Sequence, residues 1–184
     1  MTRRRLTEAE RNGALASANL KIRAAEHFLR EAGDVLGDPV KGRFNIDAAL
    51  EALHSGRDLL VRSLRREHQI RERVLAHITA SPLAAAILGV RRSGHHEGKR
   101  PPLKDVIRGG LPMGVPGARS DPDEGYSSVV IVEESAPPGI RTREWHLEID
   151  GQLRPAIPII TEIAALLRDA VIQTREHLGM PPSD

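Results

Sequence analysis

Six apolar positions, Leu15, Ala18, Ile22, Ala25, Leu29 and Ala32, recur at alternating steps of three and four residues. A strand cannot use that spacing, because its side chains change face at every residue. On a helix it draws one continuous stripe. The chain therefore contains a long amphipathic helix, and that helix needs a partner to cover its stripe. Gly33 and the Gly37-Asp38-Pro39 group are expected to end it. A second helix is expected from Asn45, a residue suited to N-capping, with Phe44 just before it. Its core side reads Ile46, Ala49, Leu50, Leu53, Leu60 and Leu64. The pattern weakens through the charged residues 65–69 and resumes at Ile70, Val74 and Ile78, giving either one long bent helix or two consecutive ones.

Ser81-Pro82 marks a restart, a hydroxyl cap followed by a proline whose missing N–H costs nothing in the first turn. Leu83, Ala84, Ala86, Ile87 and Val90 then form a short helix that Gly94 is expected to stop. From 99 to 125 prolines and glycines dominate, which predicts a long loop with one turn of helix around 103–107. Val129-Val130-Ile131-Val132 is a short β-type run. Residues 142–150 alternate, with Trp145, Leu147 and Ile149 on one face and Glu144, His146 and Glu148 on the other. Pro137-Pro138-Gly139 joins the two runs, predicting a β-hairpin over 127–150 inserted into a helical protein. A last helix spans 159–178, with Ile163, Ala170 and Val171 among its core positions. The expectation is one mainly α domain over 1–184, with a flexible tail at 1–8.

Cysteine is absent from the 184 residues, which excludes disulfides, thiolate metal sites and thiol redox chemistry. The basic Met1-Thr2-Arg3-Arg4-Arg5 start leads into charged residues instead of an apolar segment, and no apolar run reaches membrane length. A soluble, cytoplasmic protein without membrane contact is expected. The formal net charge is only +2, but the basic side chains are mostly arginine and cluster at Arg62, Arg65, Arg66, Arg71 and Arg73, then at Arg91, Arg92, Lys99 and Arg100. One reading is a solvated helix face, since Glu67 and Glu72 lie among the first group. The other is a surface that attracts a nucleic acid. With one Trp, one Tyr and two Phe, a base-stacking platform is disfavoured.

Chemistry concentrates in Val90-Arg91-Arg92-Ser93-Gly94-His95-His96-Glu97-Gly98. Arginine followed by histidine after four to six residues occurs four times, at Arg62/His68, Arg71/His77, Arg91/His96 and Arg141/His146. About three such pairs are expected by chance in a chain this rich in arginine. Position separates them. Two lie in charge-dense helical patterns and one on an expected strand. Only Arg91/His96 closes a short, nearly uncharged helix and runs on into His-Glu-Gly. Histidine titrates near neutrality and can act as general base or acid, while arginine can grip a phosphate and offset developing charge.

This stretch resembles the Arg-x4-6-His signature of HEPN domains. The order of elements is similar too: an early helix at 21–29, then the Asp-Ala-Ala-Leu helix at 47–50. The resemblance implies a HEPN-like four- to five-helix bundle and a metal-independent endoribonuclease without a cofactor, in a toxin or defence setting. Arg91 and His96 would be catalytic, with Arg92, His95 and Glu97 in support. On an ideal helix positions 91 and 96 point about 140° apart, so one chain would not easily focus both on one phosphate unless Gly94 bends the backbone; the resemblance implies a homodimer whose two chains line one shared cleft. RNA and a protein antitoxin are the implied partners. Arg92 stands where the family usually has asparagine, and Gly98 where one subgroup has a modifiable tyrosine. The competing class is a non-catalytic HEPN-like interaction or scaffold protein. A bland account also exists for each group. Arginines favour the negative end of a helix, and the histidines could cap its carbonyls. A metal at His95-His96-Glu97 is disfavoured, since adjacent histidines seldom chelate one ion.

Overall fold

The computed structural model describes residues 6–34, 38–89, 103–108, 129–132 and 142–181. Along these run helices α1 (Glu8–Asp34), α2 (Pro39–Ser63), α3 (His68–Thr79) and α4 (Pro82–Leu88). Strands β1 (Leu103–Arg108), β2 (Val129–Val132), β3 (Thr142–Ile149) and β4 (Gln152–Pro155) follow, and α5 (Ala156–His177) closes the order. Helix predominates, as the apolar periodicity requires.

A capping box opens α1. The Thr7 hydroxyl accepts from the Glu10 N–H at 3.2 Å, and the Glu10 carboxylate accepts from the Thr7 N–H at 2.7 Å. The expected tail over 1–8 is therefore too long, because residues 7 and 8 already belong to the helix start. All six stripe positions are buried. Their partner is α2, which returns antiparallel after a short connection. A Cβ at Gly56 would stand 3.3 Å from Ile22 and 3.4 Å from the Ala18 carbonyl oxygen, so the two backbones approach closely there.

The start of α2 corrects the sequence expectation. Asp38 is its N-cap, accepting from the Val40 and Lys41 N–H groups at 3.1 Å each, and Pro39 fills the first turn. Asp-Pro, read as a stop for the first helix, is the start signal for the second. Asn45 is instead buried inside α2. Of the two forms expected for 45–78, the chain adopts two consecutive helices. The break falls in the charged stretch, where Leu64 is buried and Glu67 reaches Arg11 of α1 at 3.4 Å rather than capping α3. Helix α5 packs on α1, α2 and α3 and buries Ile160, Ile163, Leu167, Ala170 and Val171. At its surface Arg168 pairs with Glu26 of α1.

The β region differs most from expectation. The sheet order is β2-β1-β3-β4. Residues 129–132 and 142–149 do not pair with each other, so the hairpin expected over 127–150 does not form. Both strands flank β1, β2 in parallel and β3 antiparallel. β1 occupies the stretch expected to be loop with a helical turn at 103–107. The hairpin that does form joins β3 to β4 through Asp150-Gly151, both at positive φ, as a tight turn matched to strand twist requires. Leu103, Trp145, Leu147 and Ile149 turn one face of the sheet into the shared core. The indole fits because α2 carries no side chain at Gly42, where a Cβ would stand 2.9 Å from the Trp145 ring nitrogen.

Candidate functional site

The short helix α4 leads toward the Arg-x4-His segment, and its two ends are held in different ways. At the N-terminus Ser81 accepts from the Ala84 N–H at 3.3 Å and Pro82 begins the first turn, as the sequence predicts. Ala84, Ile87 and Leu88 are buried, which anchors one side. At the C-terminus Gly89 takes the left-handed conformation at φ 61, a backbone state that glycine reaches without a Cβ penalty. The helix therefore ends at Leu88, before Val90 and well before Gly94.

Arg57, which nothing in the sequence pattern singled out, completes this end. It lies in α2 only 6% exposed, and its guanidinium donates to the Leu88 carbonyl oxygen. Its Nε also donates to Asp58 at 3.0 Å. A cation thus sits at the negative end of α4 and satisfies a carbonyl that the helix itself leaves open. Its neighbour Asp58 is largely exposed and offsets the charge without being buried with it. The only sequence signal was the Arg-Asp pair on a helix otherwise apolar at 59–61.

The expected site residues Arg91, Arg92, His95, His96 and Glu97 lie outside the described residues. So does Arg141, the partner of His146 in the fourth spacing match. Arg62 and His68 fall on different helices, both exposed, with His68 Nδ1 3.3 Å from Glu72. Arg71 and His77 share α3 and are half-buried. Among the described residues, no hydrogen bond or ion pair joins Arg62 to His68 or Arg71 to His77.

His146 departs from the alternation that put it on the polar face of its strand. It is 1% exposed, and Val106, on the same side of the sheet, is buried as well. Its Nδ1 stands 3.5 Å from the Glu144 carbonyl oxygen and its Nε2 3.7 Å from the Glu144 carboxylate. Both distances are long for hydrogen bonds, and the imidazole is enclosed within the fold. Lys104 and Glu148 form an ion pair at 3.5 Å on the same face. Asp105 is buried on the opposite, core-facing side. Among the described residues no three His, Asp or Glu side chains are placed to hold a metal ion, and no helix is long and apolar enough to cross a membrane.

No protein-family model, curated protein or solved structure matches the chain.

Proposed function

We propose that this chain is a HEPN-like helical protein that cleaves RNA without a metal, with Arg91 and His96 as its reacting pair and a homodimer as its working form. The observation that supports this reading is where the motif enters. The Arg-x4-His segment follows directly on a short helix whose end is tied into the bundle by Gly89 and by Arg57 on the Leu88 carbonyl. A reacting pair needs a positioned origin, because small misplacements cost large factors in rate. His96 would take the proton from the 2′-hydroxyl or return one to the leaving oxygen, and Arg91 would hold the phosphate. Arg92, His95 and Glu97 would support them. The need for a 2′-hydroxyl selects RNA over DNA. A toxin or defence role with a protein antitoxin belongs to the same proposal.

A second reading is favoured by a specific observation. Helix α4 stops at Leu88 with Gly89 in the left-handed conformation, three residues short of Arg91 in the sequence. A bundle with that change would serve as a non-catalytic interaction module. Cleavage of an RNA oligonucleotide in chelator, by the wild type and by His96→Ala, separates the two. The ribonuclease reading expects a 2′,3′-cyclic phosphate product from the wild type and a loss of about 100-fold or more in the variant. Equal rates, or no cleavage by the wild type, leaves the interaction module.

A further inference from the structure

We propose that the corner where α2 passes into α3 binds the phosphate backbone of RNA. This extends the RNA reading to a second surface and does not depend on the cleavage step.

Arg62 lies in the last turn of α2, and Arg65 and Arg66 in the turn that follows it, where the Arg65 N–H donates to the Arg62 carbonyl at 3.2 Å. All three are exposed, and Arg73 of α3 is exposed as well. A charged run of this kind is ordinarily a solvated face neutralised by its own acids. Here the acids are engaged elsewhere. Residues 57–73 contain three, Asp58, Glu67 and Glu72. Asp58 accepts from Arg57, the buried clamp of α4, at 3.0 Å. Glu67 turns to Arg11 of α1 at 3.4 Å, and Glu72 lies 3.3 Å from His68. Among the described residues, Arg62, Arg65 and Arg73 make no ion pair. The tertiary structure thus leaves cationic forks facing water.

The chemistry around them selects the partner. Leu60 and Leu64 are buried and the 57–73 stretch contains no aromatic residue, so the corner offers no apolar wedge for a lipid surface. It also lacks the aromatic anchors of a protein interface. What remains is charge with bidentate donor geometry, which suits phosphate. Without stacking side chains, binding should be insensitive to base sequence.

The test uses the full chain and a fluorescein-labelled 2′-O-methyl RNA of mixed sequence, read by anisotropy across a salt series. That RNA lacks the nucleophile, so binding is measured whether or not the protein is a ribonuclease. The triple variant R62E/R65E/R73E should weaken binding at least about tenfold at low salt and reduce the log–log salt slope by about 2, near 0.7 for each lost single-strand contact. The neutral R62Q/R65Q/R73Q should fall between it and the wild type. R154E, which changes an exposed arginine of β4, should stay near wild type. Far-UV circular dichroism verifies that the variants remain folded. Unchanged affinity and slope in the triple variant would overturn the proposal. So would an equal loss in R154E, or binding by the wild type to phosphatidylserine vesicles and not to RNA.

Discussion

The α1–α2 helix pair and the four-stranded sheet share one core but are specified in opposite ways. In the pair each helix announces itself over consecutive turns, and the stripe from Leu15 to Ala32 needs only one partner to be covered. In the sheet β2 and β3 read as β-type runs, but β1 carries no assignment of its own. β1 reads Leu-Lys-Asp-Val-Ile-Arg among prolines and glycines, and becomes a strand only because β2 and β3 pair on either side of it. Each helix closes its backbone bonds within itself, whereas β1 must find β2 and β3 across long connections. The chain places its single tryptophan on β3, so fluorescence reports the sheet while far-UV circular dichroism reports the helices.

The strongest way to break the contrast is Leu53→Ala in α2. Leu53 is fully buried, and the cavity should cost about 2–5 kcal/mol in denaturant unfolding. Because the core is shared, both signals should shift together. A tryptophan transition that stays in place would show a sheet that folds by itself. A smaller loss is expected from Arg57→Met. The apolar side chain keeps most of the volume but leaves the Leu88 carbonyl without its donor, at about 1–3 kcal/mol. Release of a desolvated charge should move the value toward the low end. Hydrogen exchange should rise in α4 and not in α1, and uniform exchange would deny Arg57 its role as a clamp. The smallest net effect is expected at the seam between the regions. Gly42→Ala drives a methyl against the Trp145 indole, an overpacking of about 1–3 kcal/mol. About 1 kcal/mol of that is returned by alanine's better helix propensity. A shift in tryptophan emission with lowered stability is expected, and a net gain would show that the indole yields freely.

Legibility followed the same division. Ile46, Leu53, Leu60 and Ile78 were all readable as core from spacing alone, and all are fully buried. Ser81-Pro82 was readable because capping chemistry is local. Asp38-Pro39 was misread as a stop because the same dipeptide fits the end of one helix and the start of the next, and only the Val40 and Lys41 N–H bonds decide between them. The β3–β4 hairpin had a local signal in Asp150-Gly151, which the more conspicuous Pro137-Pro138-Gly139 outweighed. Of the candidate site, the motif itself was visible as residue types, whereas Arg57 was not. A buried arginine reaching 31 residues along the chain leaves no periodic trace.

What the sequence determined by itself is the helical character of this protein, the faces its helices bury and the cap that starts α4, because these depend on interactions within a few residues. The tertiary structure alone decided that 103–108 is a strand between two others, that His146 is enclosed, that Arg57 holds the end of α4, and that Glu67 turns to Arg11 of α1. Each of these is a partnership between residues remote in the chain. Pairing, burial and charge balance across such distances are properties of the packed molecule, and no window of sequence contains both partners.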